Sequence, residues 1–400
     1  MCGFAAVQAV LAGKSNSATK PPSSATGGYC RARQRLALAQ IEALHQSAAN
    51  RIQSLLPPAP NWYGHPVKVV DGSSVSMPDT PQNQARYPQP KNQRAGCGFP
   101  VMRLVAVFSL GTGLLLHLAK GSLSVAERTL FGTLREHLKP GDVVLADRGF
   151  CSYADFYLLG RRGVECVMRN HQRRVKGIVE IKRLGKNDRL VDWIKMKPCP
   201  VGWAKDEWDT VPPTLRVREI TVPVDIPGFR SHTIVIATTL LDSKKYPASA
   251  FAELYRARWR AELYLRDIKI ALGMDVLRCK SPDMVEKELA MHLIAYNLVR
   301  TLMVKAAKTR DLSAHEISFT ASLDTVRTWA PRLAVTLSAR KRQRLFARLL
   351  QCIAQHPLPK RPNRVEPRAR KRRPKNYQLL NKPRADFKEI HHRNRYTKPK

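Results

Sequence analysis

The sequence predicts an α/β protein built on one central sheet. Three observations lead there. Short apolar runs at 67–70, 101–110, 113–119, 143–146 and 164–168 read as strands, and two helical periodicities separate the later ones. An acid stands at the end of two of these runs, Asp71 and Asp147. The resulting order β-β-β-α-β-α-β calls for a sheet with helices on its faces.

The elements follow in order. Lys14–Gly28 is rich in Ser, Thr, Pro and Gly and reads as a linker. Arg31–Leu56 carries apolar residues at Leu36, Leu38, Ile41, Leu44 and Ile52 and predicts a helix, stopped by Pro57-Pro58-Ala59-Pro60. Val67–Val70 is a strand that runs straight into Asp71-Gly72. Ser73–Arg94 is polar and punctuated by prolines, hence a long loop. Val101–Leu110 and Gly113–Ala119 form a buried hairpin rather than a membrane span, because Arg103, Gly111, Gly113 and His117 interrupt the apolar run. Ser124–Leu138 is helical, with Ser124 as cap, Glu127 three residues on, and Leu130, Leu134 and Leu138 at four-residue spacing. Pro140-Gly141 ends it. Val143–Ala146 is a short strand with Asp147 at its carboxyl end, and Ser152–Arg161 (helix) and Val164–Met168 (strand) complete the pattern.

An acid on the first strand and another just after the fourth is the arrangement of the ribonuclease-H-like fold. The predicted class is therefore α/β, a ribonuclease-H-like core with a β-rich insertion and flanking α-helical and disordered basic segments. The insertion is basic and contains Trp193, Trp203 and Trp208, with a β-type stretch at Leu215–Val224. His232–Leu241 is one more strand, a long helix runs from Ala248 to Leu272, and two or three helices occupy Met284–Gln355. The expected division is an N-terminal helical region at 1–60 and the first part of the core at 61–170. The insertion follows at 171–230, then the second part of the core at 231–305, helices at 306–356 and a basic tail at 357–400.

Charge narrows the function. Sixty-nine Lys and Arg oppose thirty-one Asp and Glu, a formal net charge of +38. Such an excess repels itself in a compact fold and suits a polyanion, nucleic acid above all, because each neutralised phosphate releases condensed counterions. From Pro357 onward 16 Lys or Arg face 3 acids, so this tail cannot bury enough apolar surface to order itself and reads as a grip on DNA. The eight cysteines form no C-x-x-C pair, which excludes a zinc ribbon and a thioredoxin-like motif and fits reduced thiols. No membrane segment or signal peptide is recognisable, so the reading is cytoplasmic.

The chemistry centres on one helix. Tyr255, Arg258, Glu262 and Lys269, at roughly 100° per residue, share a face about 60° wide. One carboxylate beside two cations and a phenol suits phosphodiester chemistry: Mg²⁺ takes carboxylate and phosphate oxygens, while Arg258, Lys269 and Tyr255 hold phosphate. Taken singly each acid has an ordinary explanation. Asp71-Gly72 is a turn dipeptide, Asp147 is able to cap the following turn, and Glu262 with Arg266 is an i,i+4 pair. The order Asp, Asp, Glu across two strands and a late helix is the stronger signal.

These phrases are also similar to a known family. The run Asp71–Pro90, then Ala95–Ser109, Leu145–Tyr153 and Tyr255–Pro282, resemble the insertion-sequence-4-type bacterial DDE transposases. Their third-acid helix carries the signature Y-(2)-R-(3)-E-(6)-K, which Tyr255, Arg258, Glu262 and Lys269 match at every spacing. The likeness spans roughly residues 28–375. It implies that Asp71, Asp147 and Glu262 are catalytic and hold two Mg²⁺ ions, with Mn²⁺ able to substitute. It implies Mg-dependent cleavage and strand transfer at the ends of an insertion sequence, acting on terminal inverted repeats and target DNA as a homodimer. A β-rich insertion between the second Asp and the Glu is also implied, and the 115 residues from 147 to 262 leave room for one. A Trp of that insertion would serve a flipped base. The stretch before Asp71 is short for this family. Two alternatives share the features: a structure-selective nuclease on the same fold that does not join ends, and a catalytically silent DNA-binding derivative.

Overall fold

The computed structural model describes residues 26–55, 61–171, 177–200, 202–223, 233–359, 380 and 382–387. The linker before residue 26, the proline stop at 57–60 and most of the basic tail lie outside these residues. Nine strands form one sheet in the order β3-β2-β1-β4-β5-β9-β8-β7-β6. They are β1 (Val67–Ser76), β2 (Val101–Ser109), β3 (Leu115–Ser122), β4 (Val143–Ala146), β5 (Glu165–Arg169), β6 (Ile178–Gly185), β7 (Asp188–Ile194), β8 (Thr214–Pro223) and β9 (Thr233–Thr238). β1, β4 and β5 run parallel, while β2 and β3 on one side and β9, β8, β7 and β6 on the other are antiparallel. The expected mixed α/β class with a large sheet is what the chain adopts.

Alternation along the strands builds two cores. Val67, Val69, Val143, Leu145 and Val167 belong to one, with Phe251, Leu254, Ala261, Tyr264 and Leu265 from the later helices. Val70, Val144, Ala146, Cys166 and Met168 belong to the other, with Leu130, Phe131, Phe156 and Leu159. The helices of the second face are α4 (Glu127–Leu134) and α5 (Tyr153–Arg161), the latter capped by Ser152, whose hydroxyl accepts from the Asp155 amide at 3.1 Å. Before them come α1 (Gly27–Arg35), α2 (Leu38–Leu55) and α3 (Pro81–Arg86). A short α6 (Lys205–Asp209) sits between β7 and β8. On the first face lie α7 (Ala248–Ala257), α8 (Trp259–Arg266) and a π-helical turn (Asp267–Ala271), then α9 (Pro282–Lys308), α10 (Phe319–Val335) and α11 (Ala339–Ala354). No described helix is long and apolar enough to cross a membrane.

Several expectations need correction. The single helix over 31–56 is two, broken at Leu36-Ala37, and Gly27 and Gly28 begin α1 instead of ending a linker. Arg33 of α1 reaches Cys279 at 3.6 Å. β1 continues to Ser76 through residues expected in a loop, because β2 pairs with it as far as Ser76↔Val101. Ser124 does not cap α4: its hydroxyl meets Ser122 at 2.7 Å and the helix starts at Glu127. The long helix over 248–272 is interrupted twice. At Arg258 the bonds tighten to three-residue steps, Arg258 N to Tyr255 O at 3.1 Å and Ala261 N to Arg258 O at 2.9 Å. At 267–271 they widen, Leu272 N reaching Asp267 O at 3.2 Å.

Two polar features hold the frame. Arg218 on β8 is fully buried, donates to Asp188 at 2.8 Å and to the Tyr246 carbonyl at 2.8 Å, and so ties β8 and β7 to the loop ahead of α7. His117 on β3 stacks on His137 with ring centroids 4.3 Å apart, and burial with the nearby cations holds its imidazole down to about 4. The seven described cysteines are free.

Candidate active site

Strand register brings the two aspartates together. In the parallel pair β1/β4, Val67 faces Val143 and Val69 faces Leu145. Continuing this step opposes Asp71 to Asp147, on the face of Val69 and Leu145 against which α7 and α8 pack. The β4/β5 register, Ala146↔Met168, brings Arg169 next to Asp147 in the same way. Asp71, halfway along β1, thus lines up with Asp147 and Arg169 at the carboxyl ends of the neighbouring parallel strands β4 and β5, where open α/β sheets bind ligands.

The third acid comes from the helical layer. α8 packs on β1 through Ala261, Tyr264 and Leu265, all buried, and Tyr264 donates to the Leu110 carbonyl at 3.1 Å. Glu262, on the same short helix, accepts from Arg258 at 3.0 Å. Arg258 lies 5.7 Å from the Tyr255 ring centroid, and its buried Nε has no hydrogen-bond partner. Lys269 reaches β1, its ammonium donating to Ser73 Oγ at 3.2 Å and the Ser74 carbonyl at 2.8 Å. The chain past the π turn is stitched to the end of the same strand: Ser76 N donates to Asp275 O at 3.1 Å and Leu277 N to Ser76 O at 2.9 Å.

Electrostatics record how close these groups are. Burial pushes the Asp71 carboxyl up to about 6; Arg258 and the Gly72 amide pull it back, while Asp147 and Glu262 push it further. The Tyr255 phenol is pushed up to about 12, again by burial first, with Arg258, Arg169 and Asp147 within its field. It therefore stays a hydrogen-bond donor at neutral pH. The donor set is three carboxylates and suits a hard divalent cation. No group of three His, Cys, Asp or Glu among the described residues is gathered tightly enough to hold one, and Glu262 is turned onto Arg258. The oxygens are of the right kind for such an ion.

Over residues 62–298 the chain matches the model of the Transposase DDE domain family. The chain belongs to this family. The transposase is 28% identical over 368 residues to the transposase InsG for insertion sequence element IS4 of Escherichia coli strain K12, which covers 89% of this chain and 78% of that one. It is 34% identical over 65 residues to the transposase for insertion sequence element IS421 of Escherichia coli, 16% of this chain and 18% of that one. A piggyBac transposase synaptic complex with hairpin DNA, solved by cryo-electron microscopy, superposes with a TM-score of 0.37 at 9% identity over 75% of this chain and 59% of that one, too distant to assign anything. The transposase is thus an enzyme of DNA cleavage and strand transfer, from a family that uses divalent metal.

Sequence reasoning missed three features of this region. Arg169, one residue beyond the strand expected over Val164–Met168, holds the same kind of position as Asp147. Ser73 and Ser74, expected in a loop, receive Lys269. Gly72 faces α4, where an added Cβ would stand 2.5 Å from the Glu127 carboxyl carbon, so a side chain there would displace the end of Glu127. The insertion tryptophans Trp193 and Trp208 are 1% and 2% exposed, and Trp193 donates to Glu219 at 3.1 Å, so both are core residues rather than a platform for a base.

Proposed function

We propose that Asp71, Asp147 and Glu262 are the catalytic carboxylates and that they hold two Mg²⁺ ions, replaceable by Mn²⁺, at the ends of an insertion sequence. The observation that carries this reading is the shared register of Asp71 and Asp147 on the face where α8 brings Glu262 into their field. Bound divalent ions would stabilise the attacking and leaving oxygens of an in-line displacement. Glu262 reaches that arrangement by leaving Arg258. Arg258, freed of its carboxylate, then faces a phosphate with a planar pair of donors. Tyr255 donates one hydrogen bond from a phenol that does not ionise. Lys269 adds a point charge beside Asp71. Arg169 extends the cationic edge towards β5.

In this reading the DNA partners are the terminal inverted repeats and the target duplex, and synapsis of two ends makes the working unit a homodimer on DNA in the bacterial cytoplasm. The division of the chain follows the same logic: 61–170 and 231–305 make up the catalytic unit, 171–230 its insertion, 306–356 the helical layer, and 1–60 and 357–400 the DNA-contacting flanks.

The test compares wild type with Glu262→Gln, Asp71→Asn and Asp147→Asn on duplex DNA carrying the gene's native flanks, in Mg²⁺ and in chelator. Metal-dependent breaks at the flanks, joined to target DNA by the wild type and lost in all three folded variants, are expected. A variant that cleaves at the wild-type rate removes its residue from the assignment. Cleavage without joined products would make the chain a nuclease on this fold.

A further inference from the structure

We propose that the outer face of α11 is a second DNA-contacting surface, a ridge that holds duplex phosphates apart from the three acids. The helix buries Leu345, Leu349 and Ile353, which pack it against α9 and α10. Arg340, Lys341, Arg344 and Arg348 are all exposed and fall within an arc of roughly 100° that flanks the buried stripe. Arg340, Arg344 and Arg348 form a row about 12 Å long at 1.5 Å per residue. The short, exposed Ala347 lies beside that row, so a partner can approach closely. The helix contains no Asp or Glu.

Within the isolated chain this charge works against the helix. Arg340–Arg344 and Arg344–Arg348 are like-charge i,i+4 pairs, which weaken a helix. Arg340, Lys341 and Arg342 crowd the first turn, where the helix dipole favours anions. Ser338, accepting from the Lys341 amide at 3.3 Å, and the apolar side hold the helix against them. A polyanion removes the repulsion and gains counterion release. The choice of duplex DNA as that polyanion rests on the family's chemistry. Presented on a folded helix, the row also fixes a direction for the duplex, which a run of basic residues in a tail does not.

Two duplexes offer this chemistry, the element's own end and the target. The full-length chain and a variant carrying Arg340→Gln, Lys341→Gln, Arg344→Gln and Arg348→Gln are titrated with duplex DNA in chelator over a range of salt. Losing three to four phosphate contacts makes the log–log salt slope shallower by about 3. The melting temperature is expected to be unchanged or slightly raised. A variant with Arg340→Lys, Arg344→Lys and Arg348→Lys keeps the slope. Cleavage with limiting end duplex and joining with limiting target duplex then show which half-saturating concentration rises; a rise in either supports the ridge and names its duplex. A slope unchanged in the folded glutamine variant overturns the proposal. Should four changes unfold the chain, Arg344→Gln with Arg348→Gln carries the same test with a shift of about 2.

Discussion

Asp71→Asn should stabilise the metal-free protein at neutral pH while abolishing cleavage. The Asp71 carboxyl is raised from 3.8 to about 6, chiefly by burial between β1 and α8. A shift of that size corresponds to about 3 kcal/mol against the ionised fold, reduced to about 2 by the partial exposure of the side chain. The folded value lies above the unfolded one. The stability contributed by the protonated form is therefore complete below pH 3.8 and lost as pH rises through 6. Asparagine, neutral throughout, does not lose it. In chelator the two proteins should match near pH 4, and the variant should exceed wild type by about 2 kcal/mol at pH 7.5, roughly 4 °C in melting temperature. Urea unfolding followed by tryptophan fluorescence at stepped pH measures the difference, which isolates this one group from all others. A difference that is flat with pH, or a less stable variant at pH 7.5, would show that Asp71 is not desolvated and would remove the physical basis of the site.

Three further outcomes are expected. His117→Phe should flatten acid unfolding: the folded imidazole at about 4 lies below its unfolded 6.5, so its contribution is present above 6.5 and lost as pH falls towards 4. Urea midpoints at pH 7.5 and 5 check this, and an unchanged pH dependence counts against it. Lys269→Ala removes two bonds to β1 and should slow single-turnover cleavage roughly 10²-fold while costing about 1 kcal/mol of stability; losses of equal size in both would mark a purely structural residue. Arg218→Met leaves Asp188 without its buried partner and should destabilise by about 3–5 kcal/mol, measurable by calorimetry, with a loss under 1 kcal/mol refuting the role given to that pair.

The frame of the site was legible because its signals are local. Val67–Val70 and Val143–Ala146 are apolar runs that end on an acid, and the spacing Tyr255, Arg258, Glu262 and Lys269 stands in one short segment. What escaped notice depends on partners distant in sequence. Ser73–Ser76 is polar and joins β1 only because Met102 and Val101 lie opposite Val75 and Ser76. The breaks at Arg258 and 267–271 shift backbone bonds by one residue, and around the second the chain is bonded to Ser73, Ser74 and Ser76 of β1. Lys269 stands inside the widened turn, so a uniform 100° per residue does not set its direction. Ser124 offered a cap that its contact with Ser122 withdrew.

The sheet's order has a practical consequence. The β6–β7 hairpin closes at Lys186-Asn187 on the outermost edge, with β8, β9, β5 and β4 standing between it and β1. Lys186 is exposed there and lies on the same hydrogen-bonded sheet as Asp71 and Asp147. A dye attached at Lys186 would move with the acids without touching them. Energy transfer from it to labelled DNA would report docking and synapsis in real time, in enzyme whose chemistry is left intact.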